Sequence, residues 1–287
     1  MKQIVVISGK GGTGKTSIVA SFAALAENMV IADCDVDAPD LHLLLKPIVK
    51  EKIEFRGSKV ALIDKAKCTE CGICMERCRF GAIKDYEVDP ILCEGCGVCV
   101  YSCPTNAITP KERISGYAYL SETKYGPMAH AKLNVAEEAS GKLVTLVRNN
   151  AKALAERYGK EMVLIDGPPG IGCPVIASLG GVDLALIVTE PTLSGIHDLK
   201  RVAGVSRHFG IPSAVCINKY DLNEGNTREI EEYCQKNEIK MVGKITFDPI
   251  VTKAMVAGKP VVEFSEGKVA MEIERLWENV RGGVRNE

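Results

Sequence analysis

Eight of the twelve cysteines fall into two runs with one spacing. Cys68, Cys71, Cys74 and Cys78 read C-x2-C-x2-C-x3-C. Cys93, Cys96, Cys99 and Cys103 repeat that run 25 positions on, with Gly72/Gly97, Ala82/Ala107 and Ile83/Ile108 in step. Such spacing lets three thiolates wrap one corner of a [4Fe–4S] cubane on a tight loop, while the fourth ligates the cluster of the other half. The expected ligand sets are therefore Cys68, Cys71, Cys74 and Cys103 for one cluster, and Cys78, Cys93, Cys96 and Cys99 for the second. Gly72, Gly95 and Gly97 let the backbone approach the inorganic sulfides. Structural zinc is the competing chemistry, but its sites pair two C-x-x-C units over a longer separation.

A second motif lies near the start of the chain. Gly9-Lys10-Gly11-Gly12-Thr13-Gly14-Lys15-Thr16, followed by Ser17, satisfies G-x-x-x-x-G-K-[ST]. It stands between the apolar run Ile4–Ile7 and a helical stretch from about Thr16 to Glu27, the setting a phosphate loop needs. The glycines turn successive N–H groups toward a phosphate, and the helix N-terminus adds its dipole. Lys15 is expected on the β- and γ-phosphates and the Thr16 hydroxyl on Mg²⁺. Lys10 is a second lysine that the motif does not require.

Short apolar runs at Val30–Ala32, Met162–Ile165, Leu184–Val188 and Ala214–Ile217 predict buried strands. Helical patterns over 142–158, 195–209 and 226–236 separate them. Alternation of this kind implies a parallel sheet with both faces covered. Between these halves, 68–104 is dense in Cys and Gly and poor in helix periodicity. The expected organisation is one discontinuous α/β domain, 1–55 and 115–287, interrupted by a small cysteine-rich domain over 56–114.

The chain has 287 residues, with 36 basic and 37 acidic, so no bulk field favours nucleic acid or an anionic membrane. No apolar run approaches the roughly 18 residues of a membrane span. Met1-Lys2-Gln3 leads straight into a strand, which leaves no room for a signal peptide and predicts a cytoplasmic protein. In a reducing compartment the cysteines are metal ligands rather than disulfide partners.

The stretch over 68–104 resembles a bacterial two-cluster ferredoxin, departing from it at Arg79 where the second half has Pro104. K-G-G-T-G-K-T resembles the deviant phosphate loop of the MinD/Mrp group of ATPases, which includes the nitrogenase iron protein. In that family the first lysine crosses a homodimer to the partner's nucleotide, a role that falls on Lys10 here. The resemblance covers roughly 1–45 and 142–265. It implies that Asp35, in Asp33-Cys34-Asp35, helps position Mg²⁺ and the attacking water. It further implies that Asp166 orients Mg²⁺ through its water shell, and that Gly170 offers an N–H to the γ-phosphate. Asn218 would meet the adenine edge, and Asp248 and Pro249 would lie along the base. Asn218-Lys219-Tyr220-Asp221 also suits a GTPase, with Asp221 reading guanine, but the rest of the match is to ATPases. The implied fold class is α/β, a mostly parallel P-loop NTPase sheet with helices on both faces plus an inserted bacterial-type ferredoxin domain.

These parts imply an ATPase that uses ATP and Mg²⁺, forms a homodimer in its ATP state, and gates electron transfer to a redox partner through two [4Fe–4S] clusters. A cluster carrier serving an acceptor protein is the alternative. A membrane-bound positioning protein is a third reading. Its helix would be 268–281, whose apolar positions Val269, Ile273, Leu276, Trp277 and Val280 are backed by Glu272, Glu274 and Glu278, a poor match to an anionic bilayer. Cys34, Cys216 and Cys234 are expected as small buried hydrophobes. Cys173 is expected as a loop thiol, with a bridging cluster as the alternative role. His42, His197 and His208 show no metal-ligand spacing, and 117–141 carries no readable chemistry.

Overall fold

The computed structural model describes residues 1–135, 137 and 141–285. They form two compact units, one of 1–52, 118–132 and 139–287, the other of 53–117 and 133–138. The second unit takes in 133–138 as well, a return of the chain that the expected bounds of 56–114 do not include.

In chain order the first half runs β1 (Lys2–Ser8), α1 (Lys15–Leu25), β2 (Met29–Asp33), α2 (Leu41–Leu45) and β3 (Ile48–Phe55). The cysteine-bearing part has β4 (Ser58–Ile63), α3 (Ile73–Arg77), β5 (Ile83–Lys84), β6 (Glu87–Val88), α4 (Val98–Ser102) and β7 (Ile108–Arg113). Strands β8 (Gly116–Thr123) and β9 (Gly126–Leu133) follow, then α5 (Gly141–Tyr158), β10 (Met162–Pro169), α6 (Cys173–Leu179) and β11 (Leu184–Thr189). The chain continues with α7 (Leu193–His208), β12 (Ser213–Asn218), α8 (Glu224–Lys236), β13 (Lys240–Ile245), α9 (Ile250–Val256), α10 (Val261–Phe264) and α11 (Lys268–Arg285).

The main sheet has the order β13-β12-β11-β1-β10-β2-β9-β8-β3, and its pairings from β13 through β9 are parallel. The chain leaves β1 toward β2 on one side and later passes it from β10 to β11 on the other, and this change of side opens a crevice at the strands' C-terminal ends. Alternate strand residues serve opposite faces. Ile4, Val6, Ile31, Leu164 and Leu186 join α1 and α11 in one core. Val5, Ile7, Val30, Val163 and Ile165 are equally buried on the other face, where α5, α6 and α7 pack.

Helix α11 buries Val269, Ile273, Leu276, Trp277 and Val280 in the first core, with the Trp277 ring 4.9 Å from that of Phe22. Its apolar face is therefore spent on packing. Among the described residues no helix is long and apolar enough to cross a membrane. Segment 117–141, which gave no readable chemistry, supplies the β8–β9 hairpin that extends the sheet beyond β2.

The second unit has an internal two-fold pattern. Strand β4 pairs antiparallel with β7, and β5 with β6. Helices α3 and α4 each start after a left-handed glycine, Gly72 and Gly97, both at φ 78°. Asp64 N donates to Ala107 O at 2.8 Å, and Asp89 N donates to Ala82 O at 2.7 Å. Those two bonds are each other's repeat, and both run between halves. Ala61, Ala82, Ile83 and Ile108 form the core, together with Cys74, Cys93 and Cys99.

Candidate functional site

The phosphate loop leaves β1 at the crevice and enters α1. Gly12 (φ 77°) and Gly14 (φ 91°) take the left-handed conformation that bends the loop. A Cβ at Gly11 or Gly12 would meet open space, whereas one at Gly14 would come within 2.4 Å of Asn218 Nδ2. The loop's inner side is thus open where a phosphate would lie, and Thr13 Oγ1 is buried there without a hydrogen-bond partner among the described residues. Lys15 and Ser17 are buried at the start of α1.

Lys15 Nζ lies 3.3 Å from Asp35 Oδ2 and 3.9 Å from Asp166 Oδ1. Burial works against its charge, yet Asp166 and Asp35 outweigh burial and raise its pKa. Asp33, the last residue of β2, sits opposite Asp166 within β10. Burial raises Asp166 to about 6, opposed by Lys15 and the Thr16 hydroxyl. Burial likewise pushes Asp35 up and Asp33 well up. Although Thr16 stands beside Asp166, neither Asp166 oxygen has a well-formed hydrogen bond among the described residues, and Asp33 Oδ2 is equally orphaned. Buried carboxylate oxygens without hydrogen-bond partners, next to a threonine hydroxyl and an open phosphate cradle, form a hard-oxygen donor set that fits hydrated Mg²⁺.

Lys10 does not point into free space. Its Nζ is 2.5 Å from Glu190 Oε1 and donates to Thr192 Oγ1 and Ser194 Oγ. Lys219 takes the other Glu190 oxygen at 3.3 Å. Sequence reasoning missed Glu190; the available signal was a carboxylate directly after the apolar strand β11, much as Asp35 follows β2 by two residues.

Two expected contacts are already engaged. Gly170 N donates to Ser8 O at 2.9 Å, because β10 runs alongside β1 as far as Pro169. A γ-phosphate could take that N–H only after this bond opens. Asn218 Nδ2 donates to Thr13 O at 2.8 Å, and its Oδ1 accepts from Lys219 N. One amide hydrogen and one lone pair remain for a base. Asp248 caps the start of α9 through Ile250 N, next to Pro249, and Asp221 accepts from Phe247 N, tying the two base-side segments together.

In the second unit, Cys68, Cys71, Cys74 and Cys103 line one cavity of about 300 Å³, and Cys78, Cys93, Cys96 and Cys99 line another of about 460 Å³. Among the described residues no three His, Cys, Asp or Glu side chains are placed to hold a single metal ion. A cubane spreads its four cysteines over four irons, so it needs a wider donor set than a tetrahedral zinc. Four thiols around each open cavity fit such a cluster. Cys34, Cys216 and Cys234 are buried, and burial pushes all three thiols up. Cys173 is exposed at the start of α6.

A parallel sheet covered on both faces, with a glycine loop and lysine after its central strand, a buried aspartate within the neighbouring strand and another at the end of the strand beyond, defines a P-loop nucleotide hydrolase. The family model for the CobQ/CobB/MinD/ParA nucleotide-binding domain matches residues 4–261. The chain belongs to this family and is a nucleotide-binding ATPase of the MinD/ParA kind, for which ATP and Mg²⁺ are the expected ligands. It is 38% identical over 282 residues to the uncharacterized protein MJ0578 of Methanocaldococcus jannaschii, covering 97% of this chain and 96% of that one. Identity to the septum site-determining protein MinD of Bacillus subtilis is 23% over 290 residues, covering 97% and 88%. Among solved structures, MinD of Pyrococcus horikoshii complexed with Mg-ADP superimposes with a TM-score of 0.59 at 17% identity, covering 100% and 99%.

Proposed function

We propose that this protein is an ATPase in which ATP-driven homodimerisation gates one-electron traffic through two [4Fe–4S] clusters, held by Cys68, Cys71, Cys74 and Cys103 and by Cys78, Cys93, Cys96 and Cys99. The observation that carries the reading is the partition of eight cysteines into two four-thiol cavities, the fourth thiol of each drawn from the other repeat. When bound, each cluster would supply a site that stores a single electron. Lys15, Thr16, Asp35 and Asp166 would hold the nucleotide's phosphates and Mg²⁺, while Gly11 through Ser17 cradle the phosphates. Asn218, Asp248 and Pro249 would bound the adenine, and Gly170 would join the γ-phosphate on leaving Ser8. Lys10 would complete the partner's site after releasing Glu190. The partner would be a redox protein or, if clusters rather than electrons move, an iron–sulfur acceptor; a cytoplasmic setting suits either.

Anaerobic iron analysis and EPR, with and without MgATP, test this reading. About eight irons per chain and cluster signals that respond to MgATP are expected. Iron-free protein from anaerobic expression would remove the iron–sulfur part and leave the ATPase. Release of labelled iron and sulfide to an apo-acceptor would favour the carrier.

A MinD-like positioning ATPase is the second reading, favoured by the likeness to B. subtilis MinD along 97% of the chain. ATP-dependent sedimentation with anionic vesicles by iron-free protein would support it. The buried apolar face of α11 argues the other way.

A further inference from the structure

The two halves of the cysteine-bearing unit match in most respects, so the places where they differ are informative. Cys74 and Cys99 are both buried, Cys71 and Cys96 are both exposed, and the glycine-started helices and cross-half backbone bonds recur at a spacing of 25. Cys68 is half-buried where its counterpart Cys93 is buried, and Cys78 and Cys103 are both half-buried, so solvent access separates the two sites at one ligand of four.

The surroundings of the two exchanged cysteines do separate them. Cys103 Sγ accepts from Ala107 N at 3.2 Å and lies 3.6 Å from Thr105 Oγ1. In a free thiol either atom could donate to the other. An iron-bound thiolate has no proton, so the Thr105 hydroxyl must then be the donor. The repeat counterpart of Cys103 is Cys78, and that of Thr105 is Phe80, 25 positions earlier. Phe80 lines the second cavity with an apolar ring. Among the described residues no group donates a hydrogen bond to Cys78 Sγ.

Hydrogen bonds to ligand sulfurs are among the main determinants of cluster potential. A donor favours the more negative, reduced state, since it lies against charge that grows on reduction. We propose that Thr105 raises the reduction potential of the cluster held by Cys68, Cys71, Cys74 and Cys103 above that of its neighbour, so that a single electron resides there. This rests on the iron–sulfur reading above. Thr105 acts through Cys103 and is a tuning residue, not a ligand. Two charges act near the second site in the opposite direction. Arg79 stacks over Phe80 with 5.5 Å to the ring centroid, but it is exposed and screened. Lys59 lines that cavity together with Glu94, and the two charges offset.

The test is EPR-monitored redox titration of the full chain, prepared anaerobically. Cys93→Ala leaves the first cluster alone and Cys68→Ala leaves the second alone, so each midpoint can be assigned. The first is expected to be the higher. Thr105→Val should lower it by the equivalent of a tenfold redistribution of the electron, 59 mV for a one-electron couple. Thr105→Ser should restore it, and Thr105→Val in the Cys68→Ala background should change nothing. Equal midpoints, a higher second midpoint, or a first midpoint indifferent to Thr105→Val would overturn the proposal while leaving two clusters in place. Wild-type protein without iron would overturn the iron–sulfur reading itself and this inference with it.

Discussion

Lys10 and Lys219 divide one carboxylate between them: Glu190 Oε1 takes Lys10 at 2.5 Å and Oε2 takes Lys219 at 3.3 Å. Burial works against the Glu190 charge, but the two lysines outweigh it and hold its pKa below the usual value. Lys10 is thus tethered inside its own subunit. A lysine destined for a partner's phosphate must first give up this pair, so the tether opposes association.

Glu190→Gln should therefore promote the proposed dimer. The pair is partly exposed, which limits its worth to about 1 kcal/mol, or a factor of about five. Sedimentation with a non-hydrolysable ATP analogue should show association at about fivefold lower protein concentration. Lys10→Ala should still bind nucleotide but hydrolyse it about a hundredfold more slowly, the cost of removing one donor to the transferred phosphoryl. An unchanged rate would exclude Lys10 from the reaction.

Asp166 gives a pH dependence whose sign is fixed by its raised pKa. The folded protein holds this proton up to a pH of about 6, while the unfolded chain releases it near 4. Between those values the folded state binds more protons, so the group's contribution to stability falls as pH rises and stays low above the window. Asp166→Asn imitates the protonated form. Without nucleotide or Mg²⁺ it should be more stable than wild type at pH 7 by roughly 1–3 kcal/mol in urea melts, with the gain vanishing near pH 4. Hydrolysis by the variant should be lost. A constant difference across the range would show that Asp166 is not the titrating group.

Much of this site was legible because its chemistry is local. A phosphate loop occupies consecutive residues, so residue type and spacing were enough to find it, and the 25-residue cysteine repeat was visible in the same way. Parallel strands buried on both faces also announce themselves as unbroken apolar runs. The β8–β9 hairpin was not legible. Its residues mix Tyr119, His130 and Lys132 among small apolar positions, and Ser121 meets His130 at 2.9 Å instead of a plain apolar pair. Glu190 was missed for another reason: its partners Lys10 and Lys219 are 180 and 29 residues away, a meeting that only sheet order β11-β1 and β11-β12 brings about.

Gly14 tests whether the loop's bend and its hold on Asn218 are one device. Its φ of 91° disfavours any side chain, and an added Cβ would strike Asn218 Nδ2, which grips Thr13 O. Gly14→Ala should cost about 1–2 kcal/mol for the left-handed backbone alone. Displacing Asn218 should then weaken MgATP binding more than tenfold by calorimetry, with the sheet's circular dichroism unchanged. Wild-type affinity would mean that the loop tolerates the rearrangement.

The proposed exchange of cluster ligands between the repeats is testable from iron content alone. The bonds Asp64 N to Ala107 O and Asp89 N to Ala82 O cross between halves, and Cys103 and Cys78 each lie four residues before the alanine of one junction. Each fourth cysteine therefore faces the other run's triplet, as the two cavities record. Cys78→Ala should remove one cluster, about half of the iron. Adding Cys93→Ala should remove no more, since both belong to the same site. Adding Cys68→Ala instead should remove the remainder. If each run bound its own cluster, the pattern would invert: Cys78→Ala with Cys68→Ala would keep half of the iron, and Cys78→Ala with Cys93→Ala would keep none.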